Sequence, residues 1–342
     1  MEIIKISKLN KIFITHGFQG NEKVHVLKNI DFSLEEGQMT AIVGESGCGK
    51  TTFGKIVASL IDKTDGEIYY FGKNIDKATA AERKEYRKNV QFIQQDSYAA
   101  LNPMNTIFES LYSPIKANNK KMKKDAITDM IKEYLKMVGL FPPEQFLDKY
   151  PHQLSGGQRQ RILIARVLSL KSKLIVADEP ISMIDVSLRL SVLNLISELN
   201  KKLNLSVIYI THDLSTVKYA IGKGNIAVMY LGEIVEYGKV TEVLSNPRHP
   251  YTQALISSVP VPDPTIQKHR DPVLLKSMEI PSISNRCSGC SFSTRCFYSD
   301  EKCQNWQLKN TYTKDHIVRC KNEKIIPVFS GIVTQKGDED NE

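Results

Sequence analysis

The chain runs to 342 residues, 41% of them hydrophobic and 25% charged, with a formal net charge of +8. That is enough for one large α/β domain and a smaller appendage, and it reads as a soluble globular protein with no apolar run long enough to cross a bilayer. Its Lys and Arg residues are scattered apart from the dense run Lys120–Lys124, better explained as a solvated helix start, so the positive balance carries no nucleic-acid footprint.

In chain order, the opening Met1-Glu2-Ile3-Ile4-Lys5 lacks the basic and then apolar pattern of an export signal, which places the chain in the cytoplasm. From Ile3 to Ile42 short runs alternate apolar and polar residues, predicting antiparallel strands ahead of a first buried strand, Thr40–Val43. Between Ala126 and Leu140, Ile127, Met130, Ile131, Tyr134, Leu135 and Val138 share one helical face, marking an inserted helical region. Leu174–Ala177 and Val207–Ile210 are strand-sized apolar runs set between helical stretches, the pattern of a parallel sheet with crossover helices. A composition break at Pro260–Pro264 precedes a Cys-rich tail, and the acidic end, Gly337–Glu342, is expected to fray.

Chemistry begins where the first buried strand ends. Gly44, Glu45, Ser46, Gly47, Cys48, Gly49, Lys50 and Thr51 fit the phosphate-loop pattern, with Thr52 continuing into a helix that starts near Lys50. The glycines let backbone N–H groups turn inward around phosphates, Lys50 supplies a cation to the β and γ phosphates, and Thr51 offers a hydroxyl to Mg²⁺. Asp178 and Glu179 close the apolar run Leu174–Ala177, at the carboxyl end of a parallel strand where metal and water chemistry gathers. Asp178 is the expected Mg²⁺ partner and Glu179 the group that polarises the attacking water. Paired acids after a strand also serve as helix caps, and it is the phosphate loop upstream that favours the catalytic reading.

Leu154-Ser155-Gly156-Gly157-Gln158 stands between the phosphate loop and the acidic strand, and on this signature the chain resembles the ATPases of ABC transporters. Ser155 and the N–H groups of Gly156 and Gly157 open a helix and can clasp a γ-phosphate, with Gln158 beside them; the resemblance implies that this clasp acts across a dimer, on the partner's nucleotide. It further implies that Gln95 senses the γ-phosphate, Mg²⁺ and the attacking water, adjacent Gln94 leaving the register open, and that His212 is the switch histidine. Ser182-Met183-Ile184-Asp185 stands in the place of the loop that exchanges contacts across the dimer, and Phe13 in that of the aromatic stacked on adenine, although a core-facing Phe is an equal reading of the residue itself. The segments Gln95–Pro103, Tyr150–Ser155 and Asn246–Leu255 narrow the resemblance to oligopeptide and dipeptide importer ATPases, whose members also import nickel and some sugars.

Five of the six cysteines lie between Cys287 and Cys320. In a reducing compartment such crowding favours metal over disulfides. Cys290, Cys296, Cys303 and Cys320 resemble the cysteine pattern of those importers, which implies a [4Fe–4S] cluster; four thiolates also suit Zn²⁺. Cys287 is a fifth candidate, and a cluster of free structural thiols is the plain alternative.

The expectation is therefore a phosphate-loop (RecA-like) α/β ATPase core at residues 1–259, with an antiparallel β subdomain and a helical subdomain at about 95–157, followed by a small Cys-rich C-terminal domain at 260–342. By resemblance, ATP and Mg²⁺ bind between this chain and a second ABC ATPase subunit, related but different. Closure then drives two integral-membrane permeases at the cytoplasmic face, fed by an extracytoplasmic solute-binding protein, with no nucleic acid involved. One rival is a soluble ABC ATPase acting on nucleic acid or ribosomes with a zinc tail; another is a non-enzymatic regulatory subunit, opposed by the intact Lys50, Asp178, Glu179 and His212.

Overall fold

The computed structural model describes residues 1–17, 20–260, 273–305, 311–313 and 316–321; most of the composition break after Val259 and the acidic end lie outside them. The long strands β1 (Glu2–Gly17) and β2 (Gly20–Glu35) pair antiparallel, setting Ile6 opposite Phe32 and Leu9 opposite Ile30. β3 (Met39–Val43) then leaves for a second sheet, while β4 (Asp65–Tyr70) and β5 (Lys73–Asn74) complete the first in the order β2-β1-β4-β5.

The second sheet carries the chemistry. Its strands β3, β6 (Val90–Ile93), β7 (Leu174–Asp178), β8 (Ser206–Thr211), β9 (Asn225–Tyr230), β10 (Glu233–Lys239), β11 (Thr311–Thr313) and β12 (His316–Val318) run in the order β11-β12-β10-β9-β3-β8-β7-β6. From β9 to β6 the neighbours are parallel, and beyond β9 they are antiparallel. Every residue of β3, β7 and β8 is buried, as parallel strands covered on both faces must be. All three end at one edge of the sheet, so β3 delivers the phosphate loop, β7 the acidic pair and β8 His212 to a common place.

Helices supply the covers. α1 (Lys50–Val57) lies so close to the sheet that a side chain at Gly54 would meet Ile210 and Val176 at under 3 Å, and α2 (Ala80–Asn89) starts from a Thr79–Glu82 capping box. The insert between β6 and β7 holds α3 (Ile107–Asn118), α4 (Lys124–Met137), α5 (Glu144–Leu147) and α6 (Gly156–Ser169). Ile107, Leu111 and Ile115 meet Ile127, Ile131 and Leu135 at helical spacing, with Val138 also buried and Met130 and Tyr134 partly so. α7 (Val186–Leu203), α8 (Leu214–Ile221), α9 (Val240–Ser245) and α10 (Pro250–Ser257) complete the series up to residue 260. No helix among the described residues is long and apolar enough to cross a membrane.

The described part of the Cys-rich segment packs into this body: β12 pairs with β10, and Phe292 and Cys296 belong to the same apolar cluster as Val43, Ala177 and Tyr230. A buried carboxylate ties it down. Glu236, fully buried on β10, accepts from the backbone N–H of Arg248 (2.8 Å) and His249 (3.0 Å) and pairs with Nε2 of His316 (2.6 Å). Glu236→Ala is expected to lower stability by about 3 kcal/mol, because a buried and a half-buried N–H group lose their acceptor; chemical denaturation of the full chain measures it, and a loss of well under about 1 kcal/mol would show that water takes the acceptor's place.

Candidate active site

The loop after β3 is shaped by two glycines above all. A Cβ at Gly44 would lie 2.1 Å from the Met229 carbonyl oxygen, and Gly49, with φ +104, is the left-handed cap from which α1 starts. Lys50, the first residue of α1, is buried, and its Nζ donates to the carbonyls of Gly44 (2.7 Å) and Glu45 (2.9 Å), spanning the loop. Cys48 is buried beneath, where burial pushes its thiol up and keeps it neutral.

Above the loop lies a cleft of about 610 Å³ lined by Gly44 to Gly47, Gly49 to Thr52, Gln95, Glu179, His212, Val26, Leu255 and Ile283. Three side chains predicted from separate segments converge there: Gln95 Nε2 donates to Glu179 Oε2 at 2.9 Å, and His212 Nδ1 lies 2.7 Å from Glu179 Oε1. Of the two adjacent glutamines it is Gln95 that reaches the carboxylate. Glu179 sits at φ +45, a conformation non-glycine residues seldom adopt, held by its N–H to Ile210 O at 2.9 Å. The sharp turn swings its carboxylate into the cleft. Asp178, one residue earlier, stays buried; burial pushes its carboxyl up, while a hydrogen bond from the Thr51 hydroxyl pulls it back. Its Oδ1 has no partner among the described residues. A buried carboxylate oxygen lacking a partner beside a threonine hydroxyl is the donor set a hard divalent cation takes, so these residues fit Mg²⁺.

Other expected groups lie elsewhere. Ser155 caps α6 through a capping box with Gln158, and Gly156 packs with its Cα side toward the Met183 carbonyl, so the signature and the Ser182–Asp185 loop are neighbours. Neither lines the cleft. Asp185 begins α7 without capping it through its side chain. Phe13, on β1 opposite Val24, is partly exposed beneath Lys11 and also outside the cleft, whose apolar lining is Val26, Leu255 and Ile283. Sequence reasoning missed those three, and missed Arg295 and Tyr251, which touch Glu45 from the far end of the chain. Only the Asn246–Leu255 segment, which holds Tyr251 and Leu255, carried a signal, as a mark of resemblance rather than of contact.

In the tail, Cys290, Cys296, Cys303 and Cys320 line one small cavity with His249, Phe292 and Lys321, whereas Cys287 donates to the Cys290 carbonyl (2.9 Å) and does not line it. Burial pushes the thiols of Cys290 and Cys296 up to about 12 and about 11, so both are protonated near neutral pH. Among the described residues no three His, Cys, Asp or Glu side chains converge closely enough to bind one metal ion.

Comparison with known proteins shows the family. Residues 27–182 match the ABC transporter family and residues 235–303 match the oligopeptide/dipeptide transporter C-terminal region. The oligopeptide transport ATP-binding protein OppF of Haemophilus influenzae is 39% identical over 304 residues, covering 89% of this chain and 90% of that protein. The dipeptide transport ATP-binding protein DppF of the same organism is 40% identical with the same coverage. Among solved structures, the ATP-binding cassette MJ0796, a dimer in a post-hydrolysis state bound to ADP and Pi, superposes with a TM-score of 0.61 at 29% identity, covering 69% of this chain and 98% of that one. With a phosphate loop, an acidic strand end and a signature helix in one chain and relatives of this closeness along nearly its whole length, the chain belongs to the ATP-binding proteins of the oligopeptide and dipeptide ABC transporter family, and it is an ATPase.

Proposed function

We propose that this chain powers the import of oligopeptides or dipeptides, hydrolysing ATP at the cleft above residues 44–52 with Glu179 as the group that orients and deprotonates water. The observation that carries the site assignment is the convergence of Gln95 and His212 on the two oxygens of Glu179. Loop N–H groups and Lys50 hold the phosphates; the two neighbours fix the carboxylate so that one lone pair faces an in-line water. Thr51 and Asp178 are the residues that would hold Mg²⁺, which when bound neutralises charge on the β and γ phosphates.

The cleft lacks Ser155 to Gln158 and Asp185 in this chain, which supports completion by a second ATPase subunit presenting its own signature. Two permeases would receive the motion at the cytoplasmic face of the membrane, and an extracytoplasmic binding protein would select the solute. Purifying the complex with that binding protein and asking which solute stimulates ATP hydrolysis tests this: stimulation by short peptides is expected, and stimulation by nickel or a sugar alone would reassign the cargo.

For the tail we propose a [4Fe–4S] cluster on Cys290, Cys296, Cys303 and Cys320, supported by their sharing one cavity. Four thiolates suit a [4Fe–4S] cluster or a tetrahedral zinc, and the resemblance to the importers' cysteine pattern favours the cluster. The cavity measures about 20 Å³, room for one water, so its walls must part on binding and the thiols must release their protons. Anaerobically purified protein is expected to be brown, with about four irons per chain. Stoichiometric zinc in a colourless preparation would overturn the cluster, and the absence of both metals would leave the cysteines as packing residues.

A further inference from the structure

The phosphate loop is gripped from the C-terminal segment through one residue, Glu45. Its carboxylate accepts two parallel hydrogen bonds from the Arg295 guanidinium, NH1 to Oε2 at 2.8 Å and NH2 to Oε1 at 3.1 Å, across 250 positions of sequence. Its backbone N–H donates to the Tyr251 hydroxyl at 2.8 Å, and its carbonyl accepts from Lys50 Nζ at 2.9 Å. So the backbone N–H, the backbone carbonyl and the side chain of this loop residue are each held, two of them by residues beyond 250.

The grip is itself held rigid. Arg295 is buried, with its guanidinium 5.8 Å from the Tyr230 ring and 5.7 Å from the Phe292 ring, and Tyr230, Tyr251 and Phe292 pack on one another at centroid distances of 4.5 to 5.4 Å. Tyr251 N–H donates to His249 Nδ1 at 3.1 Å; burial holds that imidazole's pKa down at about 3, so it is neutral and able to accept. A planar fork on a carboxylate fixes both distance and plane, which a lysine in the same place cannot do.

We infer that Arg295, with Tyr251, is a positioning residue of the nucleotide site: it orients the phosphate loop in cis and cancels the Glu45 charge that would otherwise face the nucleotide's phosphates. A bare carboxylate at the mouth of a phosphate cradle opposes anion binding, and the paired guanidinium removes that opposition at its source. This rests on the loop being the ATP site, which ATP binding by the unaltered chain checks separately.

The test is calorimetric titration of the full chain with ATP and Mg²⁺, all variants carrying Glu179→Gln so that hydrolysis does not intervene, with thermal unfolding recorded beside it. Arg295→Gln is expected to weaken ATP about tenfold, and Arg295→Lys, which keeps the charge and loses the fork, about threefold. Adding Glu45→Gln to Arg295→Gln is expected to recover most of the lost affinity, since the uncompensated charge is gone; a purely structural role would leave the double variant no better than the single. Should Arg295→Gln fail to fold, Tyr251→Phe keeps the aromatic packing and is expected to weaken ATP about threefold through the freed Glu45 N–H. Binding within about twofold of the parent by a folded Arg295→Gln, or by Tyr251→Phe if that variant must stand in, would overturn the inference, as would a double variant as weak as the single.

Discussion

Glu179→Gln is expected to cut steady-state ATP hydrolysis by about 10²- to 10⁴-fold while ATP still binds. The amide keeps the size of the side chain and can still meet Gln95 and His212, but it cannot take a proton from water. In the unaltered protein both carboxylate oxygens are used, at 2.9 Å from Gln95 Nε2 and 2.7 Å from His212 Nδ1; the amide keeps one acceptor for one neighbour and offers its NH2 group to the other. On the proposed pairing with a second ATPase subunit, trapped ATP should also prolong the closed state. Turnover near the unaltered rate, with the partner ATPase carrying the same change, would show that another group is the base.

Lys50→Ala is expected to weaken ATP binding about 100-fold and to stop transport with it. Two losses combine. The cation that would meet the β and γ phosphates disappears, and so does the strut from Nζ to the carbonyls of Gly44 and Glu45 that closes the loop on itself. Calorimetry with ATP and Mg²⁺ reads the affinity directly, and an unchanged dissociation constant would remove Lys50 from the phosphate contacts.

The phosphate loop, the acidic pair and the helix start at Ser155 were legible in the sequence because each depends on its immediate neighbours, whereas His212 was marked only by the family resemblance. A loop with left-handed backbone favours glycine at that position, a buried parallel strand favours a largely apolar run, and a helix start is favoured by a residue such as Ser155 with Gln158 three places on. The ambiguity between Gln94 and Gln95 was of another kind, since adjacent identical residues carry no local mark of which one faces the cleft.

What local chemistry could not convey is which distant segments become neighbours. The order of strands in the second sheet places the ends of β3, β7 and β8 side by side, and only that order joins Gln95, Glu179 and His212. The pairing of β12 with β10 and the burial of Phe292 carry the Cys-rich segment against the nucleotide cleft, where Arg295 meets Glu45 and Ile283 joins the lining while Phe13 stays outside. Sequence alone determined the chemical groups and the local backbone that presents them, because propensity and hydrogen-bond need act over a few residues. The tertiary structure decided their partners, because a salt bridge spanning 250 positions exists only once burial of a shared core has closed the chain between them.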